Sequence, residues 1–137
     1  MAGKGQMTGM LGVYLAAAEL TDKGLIVSVT SRNAKGADLL ATDQSYSKTW
    51  AIQVKTNRKA AKFWLLNKNY QEAVAEQHIY VFVNLRGNEK PDYYVVPSHV
   101  VARDGFTSTS STGSVWYAYD IVKAKADCYH NNWSVFE

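Results

Sequence analysis

"GADLLATDQSYSKTWAIQVKT", residues 36–56, contains two apolar runs, ADLLATD (37–43) and TWAIQVKT (49–56), joined by the polar connection Gln44 to Lys48. Strand-like runs flanking a short polar connection predict a β-hairpin. Asp38 stands at the start of the first run, and Gln53 and Lys55 stand at the end of the second, where buried strands would carry apolar side chains. Strand residues two apart share a face, so Gln53 and Lys55 point one way and Val54 points into the core. With Asp38 opposite them, a carboxylate, an amide and an ammonium converge at one spot. The carboxylate and the amide oxygen are hard donors suited to Mg²⁺, and the Val54 backbone carbonyl could add a third. A lysine beside such an ion can orient a water and neutralise charge developing on a phosphoryl group. Asp38 could equally follow Gly36 in a turn, with Gln53 and Lys55 lining the wet face of an edge strand.

The flanking segments give the hairpin its setting. Residues 7–22, MTGMLGVYLAAAELTD, carry Met10, Leu11, Tyr14, Leu15 and Ala18 at helical spacing, and Lys23-Gly24 ends that helix. LIVSVTS (25–31) reads as a strand that leads into the polar turn RNAKG. Beyond the basic stretch NRKAAK, the composition of YQEAVAEQ (70–77) favours a helix, and IYVFVNL (79–85) is an apolar run typical of a central strand buried on both faces. DYYVVP (92–97) is a further strand, Ser98 is positioned to cap a helical turn through Arg103, and FTSTSSTGS (106–114) reads as a flexible surface loop. DIVKAKADCY (120–129) alternates in the helical manner, and NNWSVFE supplies a last aromatic anchor. This order predicts an α/β fold, a mixed sheet with helices on its faces, in a single domain spanning 1–137.

Composition narrows the partners. The chain has 137 residues, of which 47% are hydrophobic and 20% charged, and its net charge is +3. Between Thr30 and Lys68 eight basic residues meet two acids, a local balance of +6, while the remainder carries 7 basic and 10 acidic residues. That asymmetry points to one face meeting a polyanion. No run of eighteen apolar residues exists, and MAGKGQMTGM lacks a signal core, so a cytoplasmic protein without membrane contact is expected. Cys128 is the sole cysteine, which excludes an internal disulfide and reads as a small buried side chain. His78, His99 and His130 lack metal spacing and suit capping or surface roles. Among the aromatic residues, which read mostly as core, Trp64 is the candidate for stacking on an unpaired base.

"SRNAKGADLLATD" and "KTWAIQVKT", with the preceding "GVYLAAAELTDKGLIVSVT", resemble the core of the PD-(D/E)XK nuclease superfamily, the restriction-endonuclease-like fold that includes archaeal Holliday-junction resolvases. Gln53-Val54-Lys55 is similar to the motif variant with glutamine in the acidic position, seen in restriction endonucleases directed at methylated DNA. The resemblance implies that Asp38 binds the metal, that Gln53 replaces the second acidic ligand, and that Lys55 is the catalytic lysine. Many relatives place a glutamate eleven residues before the glycine that ends the first helix; here that position is Val13. Glu19, the acid inside that helix, is the alternative ligand, although an i,i+4 ion pair with Lys23 would explain it equally. The chain is thus expected to be an Mg²⁺- or Mn²⁺-dependent DNA endonuclease, structure-selective or weakly sequence-selective, with no small-molecule cofactor. Arg32, Lys35, Arg58, Lys59 and Lys62 would meet phosphates, and a homodimer would engage two strands. The rival expectation is a non-catalytic nucleic-acid-binding module that kept the fold and lost the metal site.

Overall fold

A computed structural model describes residues 3–31 and 36–137. Helix α1 (Lys4–Asp22) begins three residues earlier than its apolar spacing suggests. It closes as Gly24, at φ 92°, and Leu25 donate their N–H groups to the carbonyls of Thr21 and Leu20. That left-handed turn is why a glycine follows the helix. Strands β1 (Ile26–Val29), β2 (Leu39–Thr42) and β3 (Thr49–Asn57) then form an antiparallel meander. Asp43 shapes the hairpin connection by accepting bonds from the Ser47 N–H at 2.7 Å and the Lys48 N–H at 3.1 Å.

After the short strand β4 (Phe63–Leu65), β5 (His78–Arg86) runs parallel to β3, and β6 (Glu89–Pro97) returns antiparallel to it. The sheet order is β1-β2-β3-β5-β6. β5 is therefore interior, and its residues 79–85 are all buried, as the apolar run required. A three-stranded sheet, β4-β8-β7, is formed by β4 with β7 (Phe106–Thr109) and β8 (Val115–Asp120).

Two cores result. On one face of the large sheet, Val13, Ala16 and Leu20 of α1 pack on Trp50, Ile52 and Val54 of β3 and on Val81 and Val83 of β5, with Phe136 closing the cluster. On the other face, Tyr80 and Phe82 of β5 meet Trp64 and Tyr119 of the small sheet and Val100 and Val101 of α2 (Ser98–Asp104). Trp64 is 1% exposed and its indole N–H donates to the Val83 carbonyl at 3.0 Å. It is a core residue and cannot stack on a base.

Three segments depart from the periodicity. Residues 70–77 form turns rather than a helix. Tyr70 is buried, and the N–H and carbonyl of Ala75 are taken by the Ser98 hydroxyl at 3.2 and 2.9 Å, so tertiary bonds replace helical ones. Ser98 is fully buried by these contacts and does not cap α2. Residues 106–114, expected as loop, are β7 and the turn of a hairpin in which Phe106 packs on Trp116. The expected helix at 120–129 is instead the end of β8, a series of turns, and a 3-10 helix at Ala126–Tyr129. Asp120 begins the turns by accepting the N–H groups of Val122 and Lys123, and Lys125 at φ 51° breaks any helical path. Cys128 is exposed rather than buried.

Candidate active site

The β2–β3 ladder ends at the pair Leu39–Ile52. Asp38 continues it by one bond, donating its N–H to the Ile52 carbonyl at 2.8 Å. Just before it, Gly36 at φ 90° adopts a left-handed conformation that favours glycine. β3 runs on past Asp38, paired now through β5, and its next N–H on the β2 side belongs to Val54. The Asp38 carboxylate takes that place: Oδ2 accepts the Val54 N–H at 2.8 Å and the Gln53 side-chain amide at 3.2 Å. The aspartate and the Gln53-Val54-Lys55 triplet are thus brought together by a strand that stops early, and a side chain forms the rung that backbone would otherwise supply.

Val54 is buried against α1, while Gln53 and Lys55 lie on the opposite face of β3. The Lys55 ammonium donates to Asn67 Oδ1 at 2.9 Å. Burial lowers the Lys55 pKa below its ordinary value of 10.5, and the Asp38 charge pulls it partly back. Above Asp38 lies an open cleft of about 310 Å³, which Gln6, Gly9, Met10 and Val13 line from one stripe of α1. Val13 therefore sits in the cleft with Asp38, where counting back from Gly24 placed it. Glu19 does not line this cleft; its carboxylate pairs with Lys23 at 3.0 Å. Asp38 and the Val54 carbonyl, which faces the same strand edge as its N–H, offer oxygens beside the cleft, and the amides of Gln53 and Gln6 lie on its wall. Among the described residues no three His, Cys, Asp or Glu side chains cluster at metal-binding distance.

The basic residues beyond β3 have unequal settings. Arg58 donates from Nε to Thr8 Oγ1 at 2.9 Å, tying the end of β3 to α1. Lys62 lies 3.9 Å from the buried Asp120 carboxylate, and Lys59 is exposed. Buried Asn84 holds this loop: Oδ1 accepts from Ala61 N–H and the Asn57 amide at 3.2 Å each, and Nδ2 donates to the Ala61 carbonyl at 2.7 Å. Arg32 and Lys35 lie outside the described residues.

Gln6 went unnoticed in the sequence because the expected helix began at Met7, although Gln6, Met10 and Val13 fall on one stripe. His78 is not a surface group. Its Nδ1 donates to the Ala73 carbonyl at 2.8 Å, and with Gln53, Asn67, Asn69 and Tyr80 it lines a second cavity, of about 540 Å³. Apart from Gln53, those residues lie on segments whose spacing carries no motif.

A mixed sheet, with a helix across one face and an early-ending strand that presents an aspartate, is the restriction-endonuclease-like architecture. Among solved structures, the chain is similar to a Holliday junction resolvase, Hjc, from the archaeal hyperthermophile Archaeoglobus fulgidus. The TM-score is 0.50 and the identity 12%, over 82% of this chain and 90% of that one. At that identity the likeness shows the fold. No protein-family model matches the chain, and no curated protein matches it. No helix among the described residues is long and apolar enough to cross a membrane.

Proposed function

We propose that the chain is a DNA endonuclease, structure-selective in preference, which cuts phosphodiester bonds at Asp38, Gln53 and Lys55 with Mg²⁺ or Mn²⁺. The observation that carries this is the Asp38 carboxylate seated on the Val54 N–H and the Gln53 amide, one residue from Lys55. A fold shared with a protein described as a Holliday junction resolvase supports a branched substrate.

The donor set fits a hard divalent ion in kind. Every available donor is an oxygen, and Mg²⁺ is commonly held by one or two carboxylates, with waters and substrate phosphate completing the shell. Gln53 now turns its amide nitrogen to Asp38, and the broad terminal torsion of glutamine lets Oε1 replace it. With one carboxylate in the cleft, the ion is expected to bind together with DNA rather than before it. When bound, it supplies charge neutralisation at the phosphate and acidity to a water. Lys55 then acts as a cation beside the nucleophile: its ammonium orients the attacking water, whose proton passes to solvent, and neutralises charge developing on the phosphoryl group. As the new phosphorus–oxygen bond forms, the bond to the leaving sugar oxygen breaks. A second copy of the chain cuts the opposing strand. The sheet face bearing Ile26 (46% exposed) and Leu40 (44% exposed) is the surface proposed for that copy.

The test is cleavage of branched, flapped, linear and single-stranded DNA with Mg²⁺ and Mn²⁺. The wild type is expected to cut branched forms best and Asp38→Ala to cut none; an active Asp38→Ala would reject the assignment. The non-catalytic alternative draws on Val13, which leaves the cleft with one acid. Calorimetric titration with Mn²⁺ separates the two: Val13→Glu should bind the ion more tightly than wild type if the cleft is a metal site, and no better if it is not.

A further inference from the structure

We infer that the cavity on the far side of Gln53 from α1 receives one unstacked nucleobase of the bound DNA, a proposal that rests on the nuclease reading above. Its volume, about 540 Å³, lies within the range of small-molecule sites, roughly 300–1,000 Å³. Gln53 lines both this cavity and the Asp38 cleft, and Asn67 of the cavity wall is the partner of Lys55. A nucleotide whose phosphate rests at Asp38 and Lys55 therefore has its base within reach of the second cavity.

The wall chemistry selects a base over a phosphate. A carbonyl can only accept, so the His78 bond to Ala73 places a proton on Nδ1. Its Nε2 is buried and has no hydrogen-bond partner among the described residues. Asn67 gives its oxygen to Lys55 and so offers its NH₂ outward, and Gln53 presents to the cavity whichever end of its amide the Asp38 side leaves free. Neutral amides thus line the wall, which suits the mixed donors and acceptors of a base edge, and among the described residues no lysine or arginine lines it. Tyr80 is buried, with the His78 ring 5.1 Å away and Phe82 stacked on it at 5.5 Å, so the back of the cavity is fixed. Unstacking a base is least costly where it is already unpaired, as at a branch point. The cavity would therefore add to a preference for branched DNA.

The experiment places 2-aminopurine, whose fluorescence rises on unstacking, at an unpaired position beside a branch or within a duplex arm. The DNA is titrated in EDTA so that nothing is cut. Wild type should raise the fluorescence of the branch position severalfold and leave the arm position unchanged. Ala73→Trp, which fills the cavity, and Asn69→Ala, which removes a wall amide, should each return the signal to that of free DNA. Affinity should change within about tenfold, because the lost base contacts are offset by recovered stacking. Asn69→Ala decides the matter if Ala73→Trp does not fold. DNA binding without a rise in wild type, or a rise that survives Asn69→Ala, overturns the pocket alone. Absence of DNA binding overturns the nuclease reading and the pocket with it. Saturable binding of free deoxynucleoside monophosphate, with no signal from DNA, also overturns it.

Discussion

Lys55 is the residue at which the proposed function would oppose stability. Its pKa is lowered by burial, so the folded chain holds the proton less tightly than the unfolded chain does. At neutral pH both states are charged, and the folded state bears the desolvation cost in full. As pH rises from the lowered value toward 10.5, the folded state sheds its proton first and the cost disappears. Lys55→Met should therefore melt higher than wild type at neutral pH, by an amount on the order of 1 kcal/mol. The gap should close as pH approaches 10.5, and cleavage should be lost throughout. Burial also raises the pKa of Tyr93 to about 12 and that of Tyr119 further, so both proteins lose stability at high pH. Comparing the two melting curves at each pH cancels that loss; a gap independent of pH would refute the account. The pairing of Asp38 with Gln53 was legible because strand alternation fixes which side chains share a face. The orientation of the Gln53 amide was not, since spacing cannot tell which end of an amide meets a carboxylate.

Helix α1 is held against β3 by an absence of side chain. A Cβ built on Gly12 would lie 1.8 Å from Thr56 Oγ1 and 2.8 Å from Thr56 Cβ, so the helix crosses the strand at a distance only glycine permits. Helical glycine ordinarily costs about 1 kcal/mol relative to alanine, which makes Gly12 a contact signal that periodicity does not reveal. Gly12→Ala should destabilise the protein by about 1–3 kcal/mol, as overpacking does, and shift Val13 and Met10 away from Asp38. Thr56→Ala removes Oγ1, which is buried without a partner, and should be close to neutral alone. It should also recover part of the Gly12→Ala loss in a double-mutant cycle by urea unfolding. Additive effects would mean the two residues do not collide. The readable elements share one property: their own residues decide them. β5 is apolar throughout because it is covered on both faces, and α1 ends where Gly24 turns the chain. Residues 70–77 have helical composition, but Ser98 binds their backbone from elsewhere, and a distant partner leaves no trace in local spacing; at 120–129 the interruption is local, with Asp120 accepting the Val122 and Lys123 N–H groups and Lys125 at φ 51°.

Across the whole molecule, charge asymmetry is the feature that composition disclosed most directly, and the fold gives its members different duties. Lys59 is exposed, Lys62 leans on Asp120, and Arg58 reaches back to Thr8, so three neighbours in sequence are not equivalent. An exposed lysine that meets a phosphate releases about one counterion, and its removal weakens binding evenly across sequences. Lys59→Ala should therefore lower the slope of log K against log salt by about one unit and leave the melting temperature unchanged. Arg58→Ala should lower both, because it also unties the end of β3 from α1. Lys62→Ala should change the slope less than Lys59→Ala, since part of its charge already answers Asp120. Anisotropy titrations over a range of salt, paired with melting curves, measure all three. Equal slope changes at the three positions would mean that the basic stretch acts as an undifferentiated patch. A graded series would mean that the sheet, the helix and the small sheet together select which cation the DNA meets.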